Sequence, residues 1–255
     1  MDASMDFIIQ ATEKVYAHFH SPCMTSPFPG VSTIRSDSFF FRNGALMLRR
    51  LFLVTFVIEI TIFIVLSSLY YHSALLYSSL SSERSVVYSS SLFGMVLEIF
   101  PHNLLVATIE FVPVVGPLLF GLSTAITSLT VASEGFFLYH TSGFIVLLSL
   151  IIVPHTWLEL PSYAVACSTS IYLIYLLYRR EMLRAKGMKV LFMYLFVVLE
   201  LVVAAVFESS EILLSYNVLY VLLMWIPAVP IFVSLIMLYR HINSDEYSPK
   251  RSASA

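Results

Sequence analysis

Apolar runs of about twenty residues recur along the chain, each bounded by charged or turn-forming residues. A helix of that length spans the hydrocarbon core of a bilayer, so the pattern predicts membrane-crossing helices at Leu51–Tyr71, Leu92–Val112, Leu118–Tyr139, Leu158–Tyr178, Val190–Phe207 and Val218–Tyr239. One further apolar run, Phe144–Val153, has ten residues and reaches only about halfway across. The Ser/Tyr-rich stretch 72–90 reads as a connection. Pro113, Gly116 and Pro117 read as a tight break, and Glu208 to Glu211 as an acidic turn between the last two spans. Pro227 and Pro230 predict a kink in the final span.

Composition and charge sharpen this picture. Charged residues make up 12% of the chain against roughly 25% in globular domains, and mean hydropathy is +0.86, which excludes a soluble fold. Arg84 is the one Lys or Arg between Leu51 and Tyr178. The basic clusters at Arg35–Arg50, Arg179–Lys189 and Arg240–Arg251 therefore act as membrane flanks, not as a nucleic-acid surface. Placing all three in the cytoplasm leaves one net crossing for residues 143–178. Thirty-six helical residues would extend about 54 Å, too far for one straight pass, so Phe144–Val153 is expected to be re-entrant or to lie along the interface. The expected fold is an all-α integral membrane protein with about six transmembrane helices plus one re-entrant half-helix, and both termini cytoplasmic. A seventh full crossing is the competing count, but it strands the 179–189 cluster outside. The organisation expected is a cytoplasmic tail over 1–50, a polytopic domain over 51–240 and a cytoplasmic tail over 241–255.

Within the first tail, Phe7, Ile8, Ala11, Val15 and Phe19 share one helical face, so 5–19 reads either as an amphipathic surface helix or as a partly ordered tail. Cys23 and Cys167, one in the tail and one in a span, are expected to be free thiols.

The candidate chemistry lies in Pro154-His155-Thr156-Trp157-Leu158-Glu159-Leu160-Pro161. An ionisable residue at membrane depth is costly and marks a function by default. With Pro154 opening the helix, His155 and Glu159 project from one face one turn apart. They can share a proton, offer two ligands, or bond backbone groups freed at the kink. Zinc takes three or four protein ligands, and the chain has neither H-E-x-x-H nor C-x-x-C, so no metal or other cofactor is expected. No nucleophile accompanies the pair at convincing spacing, so no catalytic residue and no enzymatic activity are expected.

Glu59, Glu98, Glu110, Glu134 and Glu200 also fall in or near apolar runs, and no Lys or Arg occurs over 85–178 to neutralise the middle ones there. Glu98 and His102 repeat the four-residue spacing. Glu98 and Glu134 read as interfacial; Glu59, Glu110, Glu159 and Glu200 suggest a polar path through a bundle. Tyr70, Tyr71, Tyr88, Tyr139, Tyr178 and Tyr239, near predicted span ends, read as an aromatic belt.

Three ordered elements between Phe100 and Tyr178 resemble the stage II sporulation protein M family of small polytopic membrane proteins. Phe100-Pro101-His102-Asn103 resembles its aromatic-then-asparagine helix entry, Glu134-Gly135-Phe136-Phe137-Leu138 its Asn-Gly-apolar run, and Pro154–Ser162 its Pro-His-Gly-x-x-Glu-x-Pro-Ala element. His155 and Glu159 align with the family's histidine and glutamate. Thr156 and Tyr139 replace glycines, and Glu134 stands where asparagine is usual. The family's namesake anchors peptidoglycan-degrading partners during engulfment in spore-forming bacteria. The resemblance thus implies a non-enzymatic scaffold or anchor in the cell membrane, with the lipid bilayer and proteins of a membrane complex as partners. A homo-oligomer is compatible with that role. A transporter or channel using the intramembrane carboxylates is the competing reading.

Overall fold

The computed structural model describes residues 39–42, 45–215 and 217–247. The segment 5–19, Cys23 and the end of the chain lie outside the described residues. A two-residue hairpin, β1 (Phe41–Arg42) against β2 (Ala45–Leu46), leads into α1 (Leu48–Ser67). There follow α2 (Ala74–Tyr88), α3 (Leu92–Glu110), α4 (Val115–Tyr139), α5 (Phe144–Ile152), α6 (Thr156–Tyr178), α7 (Arg180–Leu214), α8 (Val218–Leu223), α9 (Trp225–Ile242) and α10 (Ser244–Tyr247).

Six stretches are long and apolar enough to cross a membrane: α1, α3, α4, α6, the Lys186–Leu214 part of α7, and α8 with α9. The nine residues of α5 extend only about 13 Å. The chain is therefore a multi-pass membrane protein with six spans and a half-helix, as the hydropathy pattern predicts. Contacts between the two ends support the even count. The Glu246 carboxylate accepts the Leu48 and Arg49 backbone N–H groups at 3.0 and 3.1 Å and the Lys189 ammonium at 2.7 Å. It thereby caps the start of α1 from the far end of the chain, where N–H groups lack helical acceptors. Both ends of the bundle thus lie on one side.

The folded unit begins ahead of the first span. The Met47 N–H reaches the Phe40 carbonyl at 2.9 Å, and the Phe41 ring packs edge-on against Tyr175 at 5.9 Å.

Three expectations need correction. The 72–90 connection is mostly helical: Ser73 caps α2 by accepting from the Leu76 N–H. The acidic turn at Glu208–Glu211 is instead the continuation of α7, which runs on to Leu214. Tyr239 is not a belt residue, since its ring packs between Phe52 and Phe196 at 5.4 and 5.7 Å. The other five tyrosines of the expected belt are exposed. The predicted kink is present: the last span breaks at Met224, because Pro227 has no N–H for the Leu223 carbonyl.

The most enclosed crossing helix is α6. Its run Ala164-Val165-Ala166-Cys167-Ser168-Thr169-Ser170 is buried throughout. Small side chains let backbones approach closely in lipid, where apolar transfer gives helices no drive to associate. The Thr55 hydroxyl donates across to the Ala164 carbonyl at 3.1 Å and ties α1 to this surface. Cys167 is a free, buried thiol.

The break between α3 and α4 is tight. Val114 holds φ 71° while the Val115 N–H reaches the Pro113 carbonyl at 2.9 Å, a γ-turn that strains a β-branched residue. Beside it, a Cβ on Gly116 would fall 1.9 Å from the Glu110 carbonyl oxygen, so only glycine fits.

Candidate functional site

The half-helix α5 ends at Val153, in extended conformation, and α6 begins at Thr156 with His155 as its N-cap. Pro154 is buried in this turn, its carbonyl accepting from the Trp157 N–H at 3.1 Å. The helical start therefore falls two residues later than proline at the first position would place it. A helix end in an apolar setting leaves carbonyls that need donors. The two tryptophans of the chain supply them. Trp157 Nε1–H donates to the Ile151 carbonyl at 2.9 Å, and Trp225 Nε1–H, from α9, donates to the Ile152 carbonyl at 2.7 Å. The freed backbone groups are thus met by indoles, leaving His155 and Glu159 for other partners. Trp225→Phe keeps the ring and removes the donor; it is expected to lower stability by about 1–2 kcal/mol, read as a lower melting temperature in detergent.

His155 turns to α7. Its ring Nδ1 hydrogen-bonds the Glu211 carboxylate, which also accepts the His155 backbone N–H at 3.4 Å. His155 sits in the connection outside the six crossing helices. Burial alone would lower its pKa. The Glu211 hydrogen bond and the charges of Glu159, Glu208 and Glu211 outweigh burial and raise it to about 9. Glu159 turns instead to α3 and accepts from Asn103 Nδ2 at 2.6 Å. Glu208, on the same helix as Glu211, lies within electrostatic reach of Glu159 and His155. Histidine and glutamate of one motif are thereby tied to two different helices, and Pro161 lies in the α6 segment that carries Glu159.

Glu134, in the last turns of α4, forms a bidentate pair with Arg84 of α2; the second contact measures 3.1 Å. Arg84 also lies within the electrostatic reach of Glu208. The one cation of the central region thus neutralises an acid that the 85–178 window leaves without one. Glu110 accepts from Ser123 at 2.6 Å, and Glu200 lies 3.0 Å from Ser162 Oγ. The second carboxyl oxygens of Glu59 and Glu110 are buried without a hydrogen-bond partner. Among the described residues, no three His, Cys, Asp or Glu side chains converge as metal ligands.

Of the residues picked from sequence, His155, Glu159 and Asn103 come together, while Glu134 and Glu110 stand on separate ties. Glu208, Glu211 and Arg84 were missed as partners. The three-residue spacing of Glu208 and Glu211, which places both on one helical face, was their available signal.

The family model described as Stage II sporulation protein M (SpoIIM) matches residues 50–210. No curated protein and no solved structure matches the chain. The matched stretch contains Arg84, Asn103, Glu134, His155, Glu159 and Glu208, while Glu211, which pairs with His155, lies one residue beyond it.

Proposed function

The chain belongs to the stage II sporulation protein M family, and from that premise we propose a non-enzymatic scaffold or anchor for a membrane-associated complex. It resides in the cell membrane with both termini cytoplasmic, the side that the basic clusters favour. One observation carries this reading: the polar groups of the motif are engaged with one another across helices. The bonds Asn103–Glu159, His155–Glu211 and Arg84–Glu134 link α3 to α6, the α5–α6 turn to α7, and α2 to α4. Such ties hold a broken helix and a half-helix in fixed shape, as a docking platform for partner proteins requires.

A second reading, transport along a polar path, is favoured by the buried oxygens of Glu59 and Glu110 that have no partner and by irregular backbone beside the half-helix. Purified protein in liposomes separates the two. The scaffold reading expects Glu159→Gln to lower the melting temperature and to leave ion and proton leak at the level of the wild type and of empty vesicles. Flux through the wild type that Glu159→Gln abolishes, with the fold intact, would overturn it in favour of transport.

A further inference from the structure

The α3 helix carries a second acid–imidazole pair that the cluster does not use. Glu98 and His102 are both exposed, and among the described residues neither has a hydrogen bond or ion pair. The helix turns its other face inward: Met95, Ile99, Ala107 and Glu110 are buried. On the outward face, Glu98, Pro101, His102 and Leu105 form one stripe at spacings of three and four, with Phe93 and Leu97 exposed beside it. Glu98 lies about 9 Å and His102 about 15 Å along a helix of about 28 Å, which sets Glu98 deeper than its expected interfacial place and both within the apolar length of α3. Pro101 adds a backbone deficit between them, since it has no N–H for the Leu97 carbonyl.

Ionisable side chains facing lipid are costly, and in membrane proteins they turn toward a partner. We infer that this face of α3 is the interface between two copies of the chain, with Glu98 of each copy bonded to His102 of the other. The pair is self-complementary. A two-fold axis along the membrane normal sets two α3 helices parallel, and the same patch then meets itself. Across parallel helices, interhelical charge pairs join residues about one turn apart along the two chains, and Glu98 and His102 lie one turn apart on α3. Two reciprocal acid–imidazole contacts form, and both exposed groups gain a partner. The surface lies outside the His155 cluster and is independent of the scaffold reading.

Two differently tagged copies, co-expressed and purified in mild detergent, test this, with mass measured by light scattering. The wild type is expected to be a dimer in which the tags co-purify. Glu98→His sets imidazole against imidazole and is expected to weaken dimerisation about tenfold, the effect of losing two interhelical polar contacts. The exchange Glu98→His with His102→Glu restores the complementarity and is expected to restore the dimer. All three proteins should melt at similar temperatures, because the substituted side chains are exposed in the single chain. A monomeric wild type, a dimer indifferent to Glu98→His, or a double exchange no better than the single one would each overturn the assignment.

Discussion

Replacing His155 by leucine is expected to lower stability by about 3–5 kcal/mol, the usual loss when one member of a buried ion pair is removed. The reason lies in what stays behind. Glu211 is 5% exposed and takes both its donors from His155, the ring and the backbone N–H, so the substitution strands a carboxylate in an apolar bundle. Glu211→Gln keeps an acceptor and should cost less, and the double variant should recover part of the loss, because no uncompensated charge remains. The pH dependence has a defined sign. A histidine raised from about 6.5 to about 9 contributes stability that is fully present below the lower value and is lost as pH rises through the upper one. The shift corresponds to about 3 kcal/mol, in line with the mutational figure. Melting temperatures between pH 6 and 10 would show the wild type losing ground to His155→Leu as pH rises. Parallel curves for the two proteins would sink the ion-pair account.

An equally large loss is expected for Gly143→Val. A Cβ at Gly143 would fall 2.4 Å from the Val131 carbonyl oxygen and 2.5 Å from Ala132 Cα; one at Gly135 would fall 2.5 Å from Gly143 Cα. The start of α5 and the end of α4 therefore touch backbone to backbone, and no side-chain movement can make room. The substitution must push the half-helix away from α4 and α1, opening the cluster of Phe63, Val131, Val146 and Leu147. Overpacking ordinarily costs about 1–3 kcal/mol; displacement of backbone places this case at or above the upper end. Gly121→Ala, on α4, is the control. Nothing lies within 4 Å of its added Cβ, and exchanging glycine for alanine in a helix gains roughly 0.5–1 kcal/mol. Low yield and aggregation of Gly143→Val beside a normal Gly121→Ala would bear this out, whereas equal melting temperatures would refute the close approach. Gly135 follows Glu134 in the element that resembles the family's Asn-Gly run, so this contact gives that glycine a physical reason.

Six crossings and a half-helix were legible because each depends on local facts: an apolar run of sufficient length, a proline or glycine break, and basic residues at its ends. The same logic failed where local signals are weak. In α2, serine and tyrosine carry no clear helical periodicity, yet a capped start and packing of Tyr77 against Phe137 at 4.7 Å stabilise a helix there. At Glu208 and Glu211, two acids after an apolar run resemble a turn on the way to water. They remain helical in the structure, where Glu211 is met by His155, more than fifty residues away in sequence.

The candidate site divides along the same line. Sequence by itself determined that the chain crosses the membrane six times, that a broken helix falls at Pro154–Pro161, and that His155, Glu159 and Asn103 are its polar residues. It could not determine who binds whom. Spacing placed His155 beside Glu159 on one helical face, but a lone i to i+4 pair is worth only tenths of a kcal/mol. In the apolar interior every charge seeks the best partner within reach, so helix packing made the selection. Glu211 went to His155, Asn103 to Glu159, Arg84 to Glu134, and two tryptophans to the carbonyls that the half-helix leaves free.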